Sequence, residues 1–278
     1  MSIKDSGLLN LVDHGGKGPL LVLLHGFLGS GRDWDAVLPL LTSSFHCLTV
    51  DLPGHGQSPM VIPDDLNGVA HAVQQTLLEH GHHCCAVLGY SLGGRVALAL
   101  AKQVPQLVTQ LFLEGSHPGL VQASEKAARW QNDQGWAQRF EQEPLSQVLD
   151  DWYRQLVFSS LQEQERCRLV AERSQQSLSD DSLFSSEGMA LAAMLRSCSL
   201  ARQPDFRPVF TQQAEQNRPV VYLVGEHDQK FRLLAEQLSA DGLVRTGLVP
   251  AAGHNAHRDN PSGFAQALLA GAQANRFL

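Results

Sequence analysis

The chain has 278 residues, of which 43% are hydrophobic and 18% charged, which suits one large α/β domain or a domain with an insert. Its formal net charge of −7 argues against general nucleic-acid binding, because no basic surplus exists to replace the counterions of phosphate groups. The same charge is compatible with a small anionic ligand, provided that cations gather locally in a cleft.

The sequence contains no stretch long and apolar enough for a signal peptide or a membrane span. Its cysteines are odd in number, and Cys84 and Cys85 are adjacent in a predicted strand, where they point to opposite faces. This pattern favours reduced thiols over a disulfide framework, and no zinc-ligand spacing is present. We therefore expect a cytoplasmic monomer without membrane insertion, metal or cofactor.

Strand and helix signals alternate over the first 115 residues. Apolar runs of strand length lie at 20–24, 45–50, 84–88 and 108–115, and helical patterns lie near 34–41, at 64–80 and after Ser91. Glycine and proline mark the loops between them, as in DLPGHGQS. The alternation predicts a mostly parallel sheet, and its continuous apolar strands are typical of a sheet covered by helices on both faces.

A purely helical region interrupts this alternation. Amphipathic helices are predicted for ASEKAARWQNDQGWAQRF, PLSQVLDDWYRQLVF, LQEQERCRLVAERSQQ and GMALAAMLRSCSLA. Strand signals resume at 219–225 and 243–250, with helices near 231–239 and from Ser262. We predict one discontinuous α/β core, residues 1–118 and 203–278, with a helical lid inserted at 119–202.

The run VLGYSLGGR contains a Gly-x-Ser-x-Gly motif centred on Ser91. By composition alone such a motif occurs in about one chain of this length in ten, so a simple tight turn is the first interpretation. Its position between a predicted strand and a predicted helix is what a nucleophile elbow requires. In an elbow, a strained turn lifts the serine hydroxyl clear of the sheet at the positive end of the helix.

An acid and a histidine should follow such a serine in that order. Asp228 comes after a late predicted strand in VGEHDQKF, and His254 comes after the last one in PAAGHNAH. Because the carboxyl ends of parallel strands share one edge of the sheet, we predict a triad of Ser91, His254 and Asp228. Two alternatives stay open: His257 competes for the role of base, and Glu226 competes for the role of acid.

The segment HGFLG follows an early predicted strand. Its backbone suits an oxyanion hole, for which we predict the N–H groups of Phe27 and Leu92 as donors. We interpret His25 and His55 as residues that hold loops. The histidines of EHGHH lack the carboxylate or cysteine partners of a metal site and indicate a solvated loop.

Arg95 lies four residues after Ser91, so both side chains can share one face of a helix. Most helical arginines are solvated, but this helix, LGGRVALALA, is otherwise apolar and should be buried under the lid. A buried arginine needs an anionic partner, and a ligand carboxylate would supply one. We expect most lid arginines to pair within their helices and a few to face the cleft. These residues predict a small polyanionic substrate.

The stretches VDLPGHG, GYSLGGRVA, EGSHPGL, DDWYRQLVF, LAAML, GEHDQKF and AGHNAHRDNP carry a family resemblance. They resemble the 2-succinyl-6-hydroxy-2,4-cyclohexadiene-1-carboxylate synthases of menaquinone biosynthesis, which belong to the α/β-hydrolase superfamily. The likeness extends from about residue 20 to the C-terminus, lid included. Two departures are the longer segment SLSDDSLFSSEG after Arg173 and Ser116 in place of a glycine.

The resemblance implies an α/β-hydrolase fold with a mostly parallel central sheet, flanking helices and an inserted helical lid. It also implies a lyase that eliminates pyruvate from 2-succinyl-5-enolpyruvyl-6-hydroxy-3-cyclohexene-1-carboxylate, a tricarboxylate, with the serine acting as a base. Matched position by position, it assigns substrate binding to Tyr90, Arg95, Arg129, Trp152 and Arg173.

Two rival functions stay open at this point. A serine hydrolase, such as an esterase, thioesterase or C–C hydrolase, would use the same triad through an acyl-enzyme. A noncatalytic receptor for a small molecule is a rival of another class, and the triad and oxyanion motifs argue against it. The sequence alone does not decide whether Ser91 is a base or a nucleophile.

Overall fold

The computed structural model describes residues 8–176 and 186–278. The strands are β1 (Leu11–Gly16), β2 (Leu20–Leu24), β3 (His46–Val50), β4 (Cys85–Tyr90), β5 (Val108–Glu114), β6 (Val220–Gly225) and β7 (Val244–Val249). They form one seven-stranded sheet in the order β1-β3-β2-β4-β5-β6-β7. Only β1 is antiparallel to its neighbour within this sheet. The predicted mostly parallel sheet is confirmed.

Helices connect these strands in chain order. They are α1 (Leu38–Leu41), α2 (Leu66–Glu79), α3 (Leu92–Gln103), α4 (Ala123–Gln142), α5 (Leu145–Trp152), α6 (Glu163–Gln176), α7 (Ser186–Ser197), α8 (Arg207–Glu215), α9 (Gln229–Ala240), α10 (Ala256–Asp259) and α11 (Pro261–Ala274). Leu21 and Leu23 of β2 pack with Phe264 of α11 on one face of the sheet, and Val22 and Leu24 pack on the other, with α2, α3, α8 and α9. Helices on both faces explain why the strand sequences are continuously apolar.

The helices α4 to α7 lie between β5 and β6 in the chain. They share an apolar cluster of their own, which includes Phe140 of α4, Leu149 of α5 and Leu191 of α7. Leu28, from the loop after β2, belongs to the same cluster and joins it to the core. The division into a core and a lid at 119–202 stays a proposal. The segment SLSDDSLFSSEG lies largely outside the described residues.

Several predicted boundaries are wrong in detail. The helix expected near 34–41 is a 3-10 turn, Gly31–Trp34, followed by the short α1. Strand β1 was not predicted, because its sequence LVDHGG is polar, glycine-containing and mostly exposed at the edge of the sheet. No helix in the described parts of the chain is long and apolar enough to cross a membrane.

Candidate active site

The loops after β4, β6 and β7 carry the three residues of the predicted triad. Ser91 directly follows β4, Asp228 follows β6 by three residues, and His254 follows β7 by five. These strands are parallel, so their carboxyl ends lie at one edge of the sheet. The topology therefore brings the three loops together although the residues are far apart in sequence.

Ser91 occupies a strained turn between β4 and α3. Its backbone angles are φ 49 and ψ −106, a region that residues with a side chain rarely adopt. The turn is possible because Gly93 packs against β2: a Cβ atom there would lie 2.2 Å from the carbonyl oxygen of Leu24. The Ser116 hydroxyl donates to the carbonyl oxygen of Ser91 at 3.1 Å. Ser91 thus has the geometry of a nucleophile elbow.

His254 is held by Asp228 and by the packing around its ring. Nδ1 of His254 lies 2.6 Å from Oδ2 of Asp228, and both side chains are buried. The other carboxylate oxygen, Oδ1, accepts the backbone N–H of Phe231 at 3.2 Å. The Phe231 ring stacks on the imidazole at 4.9 Å, and a Cβ atom on Gly115 would lie 2.7 Å from its Cε1 atom. With Nδ1–H donated to the carboxylate, Nε2 is left as the acceptor for a proton.

The two rival residues have other partners. Glu226 is exposed, and its Oε2 atom accepts the backbone N–H of Ala251 at 2.8 Å. His257 is buried, and its Nδ1 atom lies 2.8 Å from Oε2 of Glu114. The Glu114 carboxylate also accepts the backbone N–H of His257, at 3.1 Å. The geometry therefore favours His254 as the base and Asp228 as the acid. His257 pairs with Glu114 instead.

The predicted oxyanion donors lie at two loop ends. Leu92 begins α3, so its N–H lacks a partner within the helix, and Phe27 lies in the loop after β2. Among the described residues neither N–H has a hydrogen-bond acceptor. The Phe27 ring packs against Phe140 and Trp152, at 5.7 and 5.1 Å between ring centroids. Helices α4 and α5 therefore hold Phe27, the residue predicted to carry one of the two donors.

His25 and His55 hold the loops around these donors. Nε2 of His25 accepts the Leu52 N–H at 2.9 Å, and its Nδ1–H donates to the carbonyl oxygen of Gly26 at 2.7 Å. Nε2 of His55 accepts the Leu28 N–H at 3.2 Å. Burial lowers the pKa of both, to about 3 for His55. They are neutral hydrogen-bonding groups.

Arg95 has neutral partners only. Its Nη1 atom donates to the carbonyl oxygen of Cys198 at 2.7 Å and to Oε1 of Gln203 at 3.2 Å. In the described parts of the chain it forms no ion pair with a carboxylate. Burial, and then the charge of Arg129, lower the pKa of Arg95 to about 10. The anionic partner expected of this arginine is not a residue of the described structure.

Arg129 and Arg173 do form ion pairs. Nε of Arg129 lies 2.8 Å from Oδ1 of Asp133, within α4. Nη2 of Arg173 lies 2.5 Å from Oδ1 of Asp33, which also accepts from Arg258 at 3.0 Å. Burial is the largest single effect and lowers the pKa of Arg173, but Asp33 and Tyr153 together outweigh it and raise the pKa of the guanidinium. Two further nitrogens of Arg173, Nε and Nη1, are buried and have no hydrogen-bond partner among the residues that the structure describes.

Tyr90 and Trp152, the two predicted aromatic contacts, differ in accessibility. Tyr90 is 7% exposed, its hydroxyl donates to Oδ1 of Asn255, and its ring centroid lies 5.3 Å from that of His254. Trp152 is half-buried and packs against Trp136 at 5.1 Å. The Tyr90 ring thus lies next to the ring of His254. Trp152 belongs to the aromatic side chains that pack against Phe27 in the loop after β2.

Sequence reasoning did not single out Lys230 or His117. Lys230 is the second residue after Asp228, and His117 follows β5 by three residues. A search for charged residues at the carboxyl ends of the strands would have found both.

No group of three or more metal-binding side chains occurs among the described residues.

Comparisons with known proteins agree with this geometry. The alpha/beta hydrolase fold family model matches residues 19–261. A 2-succinyl-6-hydroxy-2,4-cyclohexadiene-1-carboxylate synthase of Escherichia coli is 43% identical over 265 residues, which cover 95% of this chain and 97% of that protein. The synthase of the same name from Klebsiella pneumoniae is 44% identical, over 90% of this chain and 93% of that protein.

Two solved structures show the same fold. MenH from S. aureus superposes with a TM-score of 0.81 at 25% identity, over 97% of this chain and 99% of that one. A thermophilic esterase from Thermogutta terrifontis gives a TM-score of 0.77 at 20% identity, over 96% of this chain and 93% of that one, and shows the fold alone.

The parallel sheet, the strained serine after β4 and the histidine and acid on later strands define an α/β hydrolase. Hydrolases, lyases and other enzymes share this scaffold, so the class does not fix the reaction. Within it, the chain belongs to the 2-succinyl-6-hydroxy-2,4-cyclohexadiene-1-carboxylate synthase family.

Proposed function

We propose that this chain is a carbon–oxygen lyase of menaquinone biosynthesis. It eliminates pyruvate from 2-succinyl-5-enolpyruvyl-6-hydroxy-3-cyclohexene-1-carboxylate and forms 2-succinyl-6-hydroxy-2,4-cyclohexadiene-1-carboxylate. The observation that carries this proposal is Arg95: a half-buried guanidinium, four residues after the elbow serine, whose hydrogen-bond partners among the described residues are all neutral. An uncharged ester gives such a cation no counter-charge, whereas a tricarboxylate does.

The reaction begins with two linked proton transfers. Nε2 of His254 takes the hydroxyl proton of Ser91, and the serine oxygen takes the proton from the ring carbon that bears the succinyl group. Asp228 stabilises the imidazolium that results. Negative charge moves to the succinyl carbonyl oxygen, where the N–H groups of Phe27 and Leu92 donate to it.

Elimination follows from this enolate. Its electrons form the ring double bond at carbon 2, the existing double bond shifts to carbon 4, and the bond from carbon 5 to the enolpyruvyl oxygen breaks. The departing enolate takes a proton and becomes pyruvate, for which the imidazolium of His254 is the proton donor at hand. Water is not a reactant, so the reaction needs no acyl-enzyme.

The substrate carboxylates have named partners in this proposal. Arg95 binds one of them from α3, and Arg129 binds another through the guanidinium nitrogens that do not contact Asp133. Arg173 contributes from α6, and Tyr90 and Trp152 supply aromatic surface beside the ring.

A direct assay tests the proposal. Purified protein is mixed with the enolpyruvyl substrate, and free pyruvate is measured with lactate dehydrogenase and NADH while the cyclohexadiene product is followed by its absorbance. We expect one pyruvate per product molecule and at least about 10³-fold slower turnover by Ser91→Ala. Release of an acid or alcohol from simple esters, with no pyruvate from this substrate, would restore the hydrolase alternative.

A further inference from the structure

Lys230 contacts the same aromatic ring as the proposed base. It lies in the first turn of α9, two residues after Asp228. Its ammonium nitrogen is 5.4 Å from the centroid of the Phe231 ring, the ring that stacks on His254 at 4.9 Å. Lys230 is also exposed, so a small ligand can reach it. The lysine is therefore adjacent to the triad without belonging to it.

This position is electrostatically unfavourable for a lysine. The first turn of a helix carries a partial positive charge that disfavours cations. The packing of protein atoms around the ammonium group, and then the charge of Arg129, lower the pKa of Lys230, and the attraction of Asp228 is the smallest of the three effects. In the described parts of the chain, Lys230 forms no ion pair with a carboxylate. Lys230 therefore has no paired counter-charge among the described residues.

Hydrogen bonds connect two arginines to the loop of His117. Gln203 accepts from Nη1 of Arg95 at 3.2 Å and donates to the carbonyl oxygen of His117 at 2.9 Å, and Arg207 donates to the carbonyl oxygen of Gly119 at 3.4 Å. Burial, and then the charges of four neighbours, lower the pKa of His117 to about 4. These neighbours, in order of effect, are Lys230, Arg207, Arg95 and Arg129, here called the cationic cluster. Nδ1 of His117 accepts the backbone N–H of Gly119 at 3.0 Å, so the neutral ring carries its proton on Nε2. His117 adds a neutral donor to the cationic cluster.

The protein neutralises only part of the cationic cluster. Arg207 pairs with Asp205 at 2.9 Å, and Arg129 pairs with Asp133. Arg95 and Lys230 are the two members without a carboxylate partner in the described structure. They come from different elements, α3 and α9, so they can bind different carboxylates of one molecule.

We propose that Lys230 binds a carboxylate of the substrate from α9 and, together with Arg95, selects polyanionic substrates over monoanionic ones. The inference rests on the proposed function, because it names a further binding residue for the same substrate. Lys230 is not required for proton transfer in this scheme. Its loss should therefore raise KM and leave kcat nearly unchanged.

Lys230→Met removes the charge and retains most of the side-chain length. We expect KM to rise by about tenfold to a hundredfold, as for the loss of one charge-assisted hydrogen bond, with kcat within threefold of the wild type. Lys230→Arg should recover most of the loss.

Lys102→Met is the matched control, because this lysine lies over another ring, 5.9 Å from Phe206, at the far end of α3. A KM within twofold of the wild type for Lys230→Met would overturn the proposal. A decrease in kcat alone, together with a shifted pH profile, would also overturn it, because Lys230 would then act through His254.

Binding to an inactive background separates this inference from the proposed function. Succinate is titrated into Ser91→Ala and into Ser91→Ala with Lys230→Met, and the dissociation constants are compared by calorimetry. We expect succinate to bind about tenfold more weakly without the lysine and unchanged with Lys102→Met. Absence of pyruvate release by the wild type would refute the proposed function only. Equal succinate affinity with and without Lys230 would refute the role of the lysine.

Discussion

The carboxylate of Asp228 makes two contacts at once: Oδ2 accepts Nδ1–H of His254 at 2.6 Å, and Oδ1 accepts the backbone N–H of Phe231 at 3.2 Å. The second contact caps α9, so the orientation of the acid is tied to a helix. A neutral amide at this position keeps the cap and loses the charge that stabilises an imidazolium. Asp228→Asn therefore tests the electrostatic role of the acid with little change in folding.

Ser91→Ala, His254→Ala and Asp228→Asn should each lose about 10³-fold or more in kcat, because the three residues act as one unit. Double variants should lose little more than single ones. Turnover of the enolpyruvyl substrate, measured as pyruvate, checks the series. Glu226→Gln is the control, and activity near wild type in Asp228→Asn would give the role of acid to Glu226.

Arg95→Ala should cost about 3–5 kcal/mol in kcat/KM, because a substrate carboxylate then enters the site without its cationic partner. Arg95→Lys should recover only part, since an ammonium group lacks the planar fork of the guanidinium. Arg154→Ala, which removes an exposed ion pair with Asp150 in α5, serves as the control. An Arg95→Ala variant with reduced thermal stability and unchanged kcat/KM would make this arginine structural.

Isotope labels distinguish a basic from a nucleophilic Ser91. A base never bonds to substrate carbon, so the ring product should contain no oxygen from labelled water, and the Ser91 peptide should show no mass adduct after quenching. Deuterium at the abstracted position should slow kcat/KM where C–H cleavage limits the rate. Labelled oxygen in the ring product or an adduct on this peptide would establish the hydrolase mechanism.

Acid should destabilise the protein through its buried histidines. The folded-state pKa of His55 is about 3, against about 6.5 in an unfolded chain, so the unfolded state binds more protons below pH 6.5. Stability is fully present above pH 6.5 and falls toward pH 3 by about 1.4 kcal/mol per pH unit for this residue. Urea unfolding at pH 7, 6 and 5 measures the slope. His55→Gln should flatten it, whereas the exposed His83→Gln should leave it as in the wild type.

Two glycine substitutions should have opposite effects on stability. Gly93→Ala places a Cβ atom 2.2 Å from the carbonyl oxygen of Leu24, so we expect a loss of at least about 2 kcal/mol and of activity. Gly135 lies in the middle of α4 with open space around its Cα atom, so Gly135→Ala should add about 1 kcal/mol through helix propensity. Thermal unfolding of both variants checks the pair, and a stable, active Gly93→Ala would contradict the elbow geometry.

The mostly parallel sheet and the loops that carry Ser91, Asp228 and His254 follow from local patterns in the sequence. Apolar runs mark buried parallel strands, and each of these three residues comes within a few positions of such a run. Strand β1 lacks this pattern because it is an edge strand with one exposed side. Local periodicity therefore predicts the core far better than the edge.

The partners of the charged residues could not be read from the sequence. Arg173 pairs with Asp33, 140 positions away, and His257 pairs with Glu114, 143 positions away. Such contacts depend on how the lid and the loops pack together, which spacing along the chain does not encode.

Asp33 joins the lid to the loop of the catalytic histidine. It accepts from Arg173 of α6 and from Arg258 of α10, and Arg258 also contacts Glu172 of α6 at 2.7 Å. Only Asn255 separates α10 from His254. A swing of α6 away from the core must break the Arg173 pair, leave a buried carboxylate half neutralised and strain the segment that holds the imidazole. The position of α6 and the orientation of the imidazole are therefore coupled through Asp33 and Arg258.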